Sequence, residues 1–321
     1  MKKRYAVTGG AGFIGSQVVR TLLKHDADRV VVIDNLATGS DANLDEIRND
    51  IDFHRIDIRD FSRFREALNG CEYVAHLAAI PSVPRSIEDP VPSHDVNING
   101  TFNVFRAAHE AGVKRVFFAG SSSAYGDTEV LPKYEGMLPR PKSPYAAQKV
   151  LGEMYGKVFS ECYGLEVVSL RFFNVYGPRQ DPSSAYSGVL SIFMRCILEA
   201  SVPLIHGDGE QSRDFTYVED VAELVYKALH ADGVAGQVVN AGNGDRFTLN
   251  MVWETLQQIT GVKIQAKYGP DRPGDVRHSQ ADTTEAKQLL NHVPRFSLEE
   301  GLRQTFEWYK KDALTRGALK V

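Results

Sequence analysis

The chain is short of cysteine. Cys71, Cys162 and Cys196 are few, odd in number and widely spaced, which argues against a disulfide framework or a zinc site. The nine histidines show no metal-ligand spacing, so no metal is expected. No apolar run approaches the ~18 residues of a membrane span. Positive charge is not in excess either. Lys and Arg number 37 against 41 Asp and Glu, a net −4 that gives no basic field for nucleic acid or anionic lipid. Internal repeats, low-complexity tracts and a Pro/Ser linker are all missing. The basic start Met1-Lys2-Lys3-Arg4 precedes only three apolar residues, whereas a secretory core needs about 7–15. The expectation is a cytoplasmic protein.

What is present is alternation. Strand-like runs at Tyr5–Thr8, Val30–Asp34, Asp52–Ile56, Tyr73–Leu77, Arg115–Ala119 and Glu166–Arg171 are separated by helical patterns. Those helices include Phe13–Lys24, Phe61–Leu68, Ser93–Ala111 and Pro144–Cys162. Such a rhythm predicts an α/β fold, a doubly wound parallel sheet with its ligand crevice beyond the strands' carboxyl ends. From about Asn174 the loops lengthen and the rhythm fades. We therefore expect a dinucleotide-binding unit over residues 1–173. A smaller α/β substrate-binding region would span residues 174–321, with the chain crossing between the two.

The segment Gly9-Gly10-Ala11-Gly12-Phe13-Ile14-Gly15 follows the first strand and opens the first helix. Gly9 permits the turn, Gly12 lets the backbone approach a pyrophosphate, and Gly15 allows close helix packing. The pyrophosphate would sit on the first free N–H groups of the helix. Asp34 ends the second strand nineteen residues beyond Gly15, near the ~20 expected of a ribose-binding carboxylate. It would repel a 2′-phosphate, which favours NAD over NADP.

Tyr145 and Lys149 stand four apart on a helical pattern and share a face. A lysine ammonium beside a phenol favours the phenolate, and so would the positive nicotinamide of oxidised NAD. A phenol tuned in this way can take and return the proton of a sugar alcohol. The cluster Ser121-Ser122-Ser123 ends a strand at the ligand-binding edge. One or two of these hydroxyls would bond the reacting oxygen and relay its proton, and which of them does so stays open.

Gly9-x-x-Gly12-x-x-Gly15, the serine cluster and Tyr145-x-x-x-Lys149 together resemble the extended short-chain dehydrogenase/reductases. The likeness to their nucleotide-sugar branch runs nearly the whole length. It includes Asp57-Ile58, His76-Leu77-Ala78-Ala79, Asn97-x-Asn99-Gly100-Thr101 and Arg171-Phe172-Phe173-Asn174-Val175-Tyr176-Gly177. The resemblance implies tightly held NAD, with Asp57 and Ile58 flanking the adenine. Leu77, Ala78 and Ala79 would line the cofactor's path, with Asn97 in support. Phe13, Ile14, Asn35, Thr38, Gly39, Phe172 and Val175 complete the implied cofactor set. Gly207–Phe215 and Arg272-Pro273-Gly274-Asp275-Val276 are similar to substrate-binding pieces of the same branch. By that likeness Arg213, Arg272 and Asn174 hold the diphosphate, Asp275 the nucleotide ribose, and Val189 and His206 the uracil end. The branch also implies a homodimer, paired through Ser93–Ala111 and Pro144–Cys162.

Within that branch, dehydratases carry an acid pair beside their hydroxyl residue, where this chain has Ser122 and Ser123. A 4-epimerase needs only a proton acceptor and donor for the 4-hydroxyl, hydride exchange with NAD at C4, and room for the keto sugar to turn. Ala79–Ser86 and Gly274–Asp282 resemble bacterial UDP-N-acetylhexosamine 4-epimerases. There a small residue, here Ser279, leaves room for an N-acetyl group, and Ser82 and Ser86 would bond the sugar. UDP-N-acetylglucosamine is thus the first substrate expected, with UDP-glucose as a further one. UDP-glucuronate is the alternative, since Arg85 would suit a carboxylate. A silent NAD-binding regulator would be expected to have lost the Tyr/Lys pair or the serines, and both are intact.

Overall fold

Near-continuous apolar runs become the strands of a sheet buried on both faces. The computed structural model describes residues 3–181, 188–271 and 276–315. Its strands in chain order are β1 (Lys3–Thr8), β2 (Ala27–Ile33), β3 (Ile51–His54), β4 (Tyr73–His76), β5 (Arg115–Ser121), β6 (Glu166–Phe172) and β7 (Val175–Tyr176). They continue with β8 (Leu204–His206), β9 (Ser212–Arg213), β10 (Thr216–Tyr217), β11 (Val238–Ala241), β12 (Phe247–Thr248) and β13 (Lys267–Gly269). The helices are α1 (Phe13–His25), α2 (Phe61–Ala67), α3 (Val83–Glu88), α4 (Pro90–His94), α5 (Thr101–Glu110) and α6 (Pro144–Tyr163). After them come α7 (Val189–Leu198), α8 (Val218–His230), α9 (Leu249–Thr260), α10 (Thr284–Leu290) and α11 (Leu298–Thr315).

Seven parallel strands form the main sheet in the order β11-β6-β5-β4-β1-β2-β3. The order reverses between β1 and β4, and that switch point is where such sheets bind dinucleotides. Period-2 alternation divides the strand residues between two cores. Tyr5, Val7, Val30, Val32 and Phe117 pack with Val18, Val19 and Leu22 of α1 and with Leu224, Val225 and Ala228 of α8. Ala6, Val31, Ile33, Val116 and Phe118 pack on the other face with Val104, Phe105 and Ala108 of α5. A third core, with Tyr176, Phe193, Met194, Trp253, Leu256 and Leu302, belongs to the C-terminal region. Three two-stranded pairs, β7–β10, β9–β12 and β8–β13, accompany it.

The chain crosses between its halves. β11 joins the edge of the main sheet beside β6, and α8 packs in the same core as α1. The strand Val238–Ala241 lies in the stretch after Asn174 where the regular alternation of strand and helix patterns fades, and it was not expected. The helix expected over Ser93–Ala111 is continuous from α4 into α5, with a wide π-type turn over Asp95–Gly100 between them. The widening places Asn97 inward and brings Gly100 so close to Ile58 that a Cβ there would lie 2.6 Å from Cδ1. Such bulges often mark functional positions.

Candidate active site

The nucleotide turn is built from glycines that admit no side chain. Gly9 has φ +69°, and a Cβ on it would sit 2.8 Å from the Ala78 amide nitrogen. A Cβ on Gly15 would collide with the Gly9 carbonyl oxygen. Gly12 caps α1 without a side-chain bond, and no acid occupies the first turn, so the helix presents its positive end at Phe13 and Ile14. Asp34 is buried at the carboxyl end of β2, where Oδ2 accepts from Ala11 N (3.0 Å) and Oδ1 from Leu36 N (2.8 Å). Burial pushes its pKa up against the pull of these bonds. Gly39 lies against Ala11, a Cβ there falling 2.9 Å from its carbonyl carbon, while Asn35 and Thr38 are exposed on the same loop. Asn35 Nδ2 donates to Asp57 (2.8 Å), and Arg59 holds the Asp57 carboxyl down to about 2. Ile58, expected beside Asp57 at the adenine, instead has its side chain in the core against Gly100.

Leu77, Ala78 and Ala79 follow β4, half-buried. Leu77 N donates to Thr8 O (3.1 Å) and Ala78 N to Thr8 Oγ1 (3.2 Å). His76 is locked between Thr8 Oγ1 (2.8 Å) and Thr101 Oγ1 (3.0 Å), and burial lowers its pKa to about 3. Asn97 accepts from Ile80 N (2.8 Å) and donates to Ile80 O (3.1 Å) and Gln148 Oε1 (2.8 Å), tying the loop after Ala79 to α6. A cradle that any Cβ would fill, an uncapped helix start and a carboxylate at the end of β2 together fit a dinucleotide.

Helix α6 begins with Pro144 in its first turn and a Ser143 cap accepting from Ala146 N (3.1 Å), which fixes Tyr145 in that turn. Lys149 is 5 % exposed; its Nζ donates to Ala119 O (2.8 Å) and lies 5.7 Å from the Tyr145 ring centroid. Ser123 Oγ donates to Ser121 Oγ (2.8 Å), and Ser121 is the side chain that draws the Tyr145 phenol's pKa down. Ser122, half-buried in the same turn, stands outside this chain of bonds. Burial pushes the Tyr145 phenol up to about 12, with Ser121 pulling against it. Burial likewise pushes Lys149 down to about 8, with Glu153 pulling against it. Burial is the larger influence on both groups.

The sugar-side serines are corrected in part. Ser86 is fully buried, donates to Val83 O (2.8 Å) and accepts from Tyr145 N (3.2 Å). Its hydroxyl is therefore buried between α3 and the start of α6. Ser82 is half-buried at φ 141°, an unusual value for a residue with a side chain, and its Oγ accepts from Arg85 N (3.1 Å).

In the C-terminal half, Arg213 Nη1 donates to Ser212 O (3.0 Å) and Arg277 O (3.2 Å). Asn174 is exposed and donates to Asp214 O (3.1 Å). The Asp214 carboxylate, missed from sequence, is fully buried and accepts from Asn243 N, Gly244 N and Ala281 N at 2.7, 2.9 and 3.0 Å. Burial still raises it to about 6. Ser279 is buried, with its N–H on Ser212 O (3.0 Å). His206 bonds Pro270 O (3.2 Å), Val189 opens α7, Phe172 packs on Phe117 and Val175 pairs with Thr216. Arg272 and Asp275 lie outside the described residues. Surface clefts of about 660 Å³ beside Trp253 and Tyr268 and about 640 Å³ beside Arg59 and Val91 do not include Tyr145.

Comparison with known proteins agrees with this geometry. Residues 5–242 match the NAD dependent epimerase/dehydratase family. A UDP-N-acetylglucosamine 4-epimerase of Methanobrevibacter ruminantium, solved with UDP-N-acetylmuramic acid, is 39% identical, with TM-score 0.93, over 97% of this chain and 100% of that one. A UDP-glucose 4-epimerase of Thermotoga maritima, solved with UDP-glucose, is 39% identical, with TM-score 0.91, over 96% of this chain and 99% of that one. A UDP-glucuronate 4-epimerase of Thermodesulfobacterium geofontis is 34% identical over 99% of both chains. A glycine cradle, a Tyr145–Lys149 pair at the sheet's carboxyl edge and these full-length likenesses agree: the chain belongs to the NAD-dependent epimerase/dehydratase family, in the branch of its UDP-sugar 4-epimerases.

Proposed function

We propose that this enzyme interconverts UDP-N-acetylglucosamine and UDP-N-acetylgalactosamine at C4, with UDP-glucose and UDP-galactose as a further pair. The observation that carries the reading is Tyr145 and Lys149 on one face of α6, Lys149 Nζ 5.7 Å from the Tyr145 ring, with the bonded Ser121–Ser123 hydroxyls at the end of β5. NAD, when bound, supplies the reversible two-electron oxidation and reduction of C4. Tyr145 takes the proton of the 4-hydroxyl and returns it to the epimeric hydroxyl. Lys149, charged below about pH 8, favours the phenolate that a buried phenol otherwise resists. Ser121, itself bonded by Ser123, donates toward the reacting oxygen. Arg213, Asn174 and Arg272 anchor the diphosphate while the keto sugar turns; an arginine fork suits this because it grips phosphate oxygens bidentately. Ser122 and Ser123 stand where a dehydratase needs acids, and neither titrates near neutral pH.

The N-acetylated substrate rests on Ser279 and on the likeness to the Methanobrevibacter enzyme. In Ser279→Tyr, turnover of UDP-N-acetylglucosamine should fall at least about tenfold while UDP-glucose turnover is kept, since a ring in place of a hydroxymethyl group overpacks the 2-position. Equal loss on both sugars overturns the gate. A UDP-glucuronate 4-epimerase is the second reading; Arg85 is exposed on α3, and the Thermodesulfobacterium relative carries that name. Turnover of UDP-glucuronate alone would select it.

We also propose a homodimer. Leu151, Met154, Tyr155 and Val158 recur along α6 at helical spacing and remain 37–57% exposed. Phe102 of α5 extends this face, its ring 5.5 Å from Tyr155. An apolar stripe across two adjacent helices suits pairing with its own copy into four helices.

A further inference from the structure

Behind Lys149 lies a buried ion pair that the chemistry above does not use. Glu153 is one helical turn beyond Lys149 on α6, and Arg171 reaches it from β6. Neither side chain is more than 5% exposed. The contact is bidentate, Nε donating to Oε1 (3.0 Å) and Nη2 to Oε2 (2.8 Å). The strand beside it leaves room for the carboxylate, since a Cβ on Gly120 would lie 2.9 Å from Glu153 Oε1. The guanidinium also stacks 4.6 Å over the Tyr125 ring, whose hydroxyl donates to Asn240 Oδ1 on β11. Nη1 has no partner among the described residues. The guanidinium thus serves the carboxylate at the expense of one of its own donors.

A buried ion pair with an unmet donor is weak evidence for stability, because desolvation offsets its attraction. A role in the site accounts for it better. We propose that Glu153, held by Arg171, is a positioning residue that keeps the Lys149 ammonium charged and fixed on the Ala119 carbonyl. The four-residue spacing puts Glu153 and Lys149 on one face of α6. The other titratable or charged groups around Lys149 are Tyr145 on α6, His76 on β4 and Arg171 on β6 behind the carboxylate. His76 is neutral above about pH 3, and Tyr145 is uncharged until it gives up its proton. Burial pulls the proton off Lys149, and Glu153 opposes that pull.

The proposal rests on Tyr145 and Lys149 being the catalytic pair. The test is kcat against pH from 6 to 9, for holoenzyme of the wild type, Tyr145→Phe and Glu153→Gln. Tyr145→Phe must be nearly inactive; if it is active, the catalytic reading fails whatever Glu153 does. Glu153→Gln keeps an oxygen for Arg171 and removes the charge. Its alkaline limb is expected to move about one pH unit to the acid side, giving near-normal kcat at pH 6 and roughly fivefold loss at pH 8. An unshifted limb, or equal loss at every pH, overturns the proposal. If Glu153→Gln does not fold, Gly120→Ala decides, because its Cβ crowds the carboxylate, along with the Leu170 carbonyl, without removing the charge. A shift in the same direction supports the role, and an unshifted limb overturns it.

Discussion

Tyr145 is poorly suited to proton transfer when considered alone. Burial holds its phenol near 12, with Ser121 pulling against it, and pushes the neighbouring Lys149 down to about 8. On the proposed mechanism, activity requires Lys149 charged so that the phenol can be drawn to phenolate. Removing the hydroxyl leaves the glycine cradle and Asp34 untouched. Tyr145→Phe is accordingly expected to keep its NAD, measured as nucleotide released on denaturation, and to lose at least about 100-fold in kcat. At this scale the sequence was informative where chemistry demands a spacing. Gly9, Gly12 and Gly15 form the turn into α1, Asp34 follows β2, and Tyr145 and Lys149 share α6. It was less so where burial decides. Ser86 was expected at the sugar and instead accepts from the Tyr145 amide, and Asp214 carried no signal because its three backbone donors come from distant segments. Glu153 was within reach of the same spacing argument, four residues beyond Lys149.

At the scale of elements, β1, β4 and α5 are joined by one neutral imidazole. His76 sits between Thr8 and Thr101 with its pKa lowered from 6.5 to about 3. Because the folded value is depressed, the unfolded chain takes up the proton first on acidification. His76 thus contributes stability above about pH 6.5 that is lost as pH falls toward 3. Between pH 7 and 5 this loss is about 2 kcal/mol. Asp214 acts in the opposite sense, since its raised value lets the folded state bind a proton near pH 6. Comparison with a variant isolates the histidine. Urea unfolding of His76→Gln should show an acid-induced loss between pH 7 and 5 that is smaller than the wild type's by about that amount. Equal losses in the two proteins would place the sensitivity elsewhere. The first six strands of the chain and α6 were legible from their apolar patterns. The widening of the helix over Asp95–Gly100 was not, because it accompanies Asn97 bonding to Ile80 and Gln148, contacts between segments far apart in sequence.

At the scale of the molecule, the glycine turn into α1 and Asp34 after β2 come from the first half of the chain, and a third core is built in the second. The two are not separable, since β11 and α8 come from the second half and complete the first. The parallel sheet could be foreseen from its alternation; the short pairs β7–β10, β9–β12 and β8–β13 could not, because two or three residues show no period. The exposed apolar stripe on α5 and α6 predicts association. Met154→Arg, at the most exposed position of the α6 stripe, should shift the protein from dimer to monomer in sedimentation at micromolar concentration. A mass unchanged from the wild type would show that the stripe is not the interface.

The central claim is that the bound dinucleotide and the Tyr145 site together epimerise a UDP-sugar at C4. It is tested most directly by incubating purified protein with UDP-N-acetylglucosamine, without added cofactor, and resolving the products at C4. The account predicts UDP-N-acetylgalactosamine, formed with no net consumption of NAD. Turnover confined to UDP-glucose or UDP-glucuronate would overturn the assignment of Ser279 and keep the reaction. No epimer from any of the three sugars, from protein that carries NAD, would contradict the account.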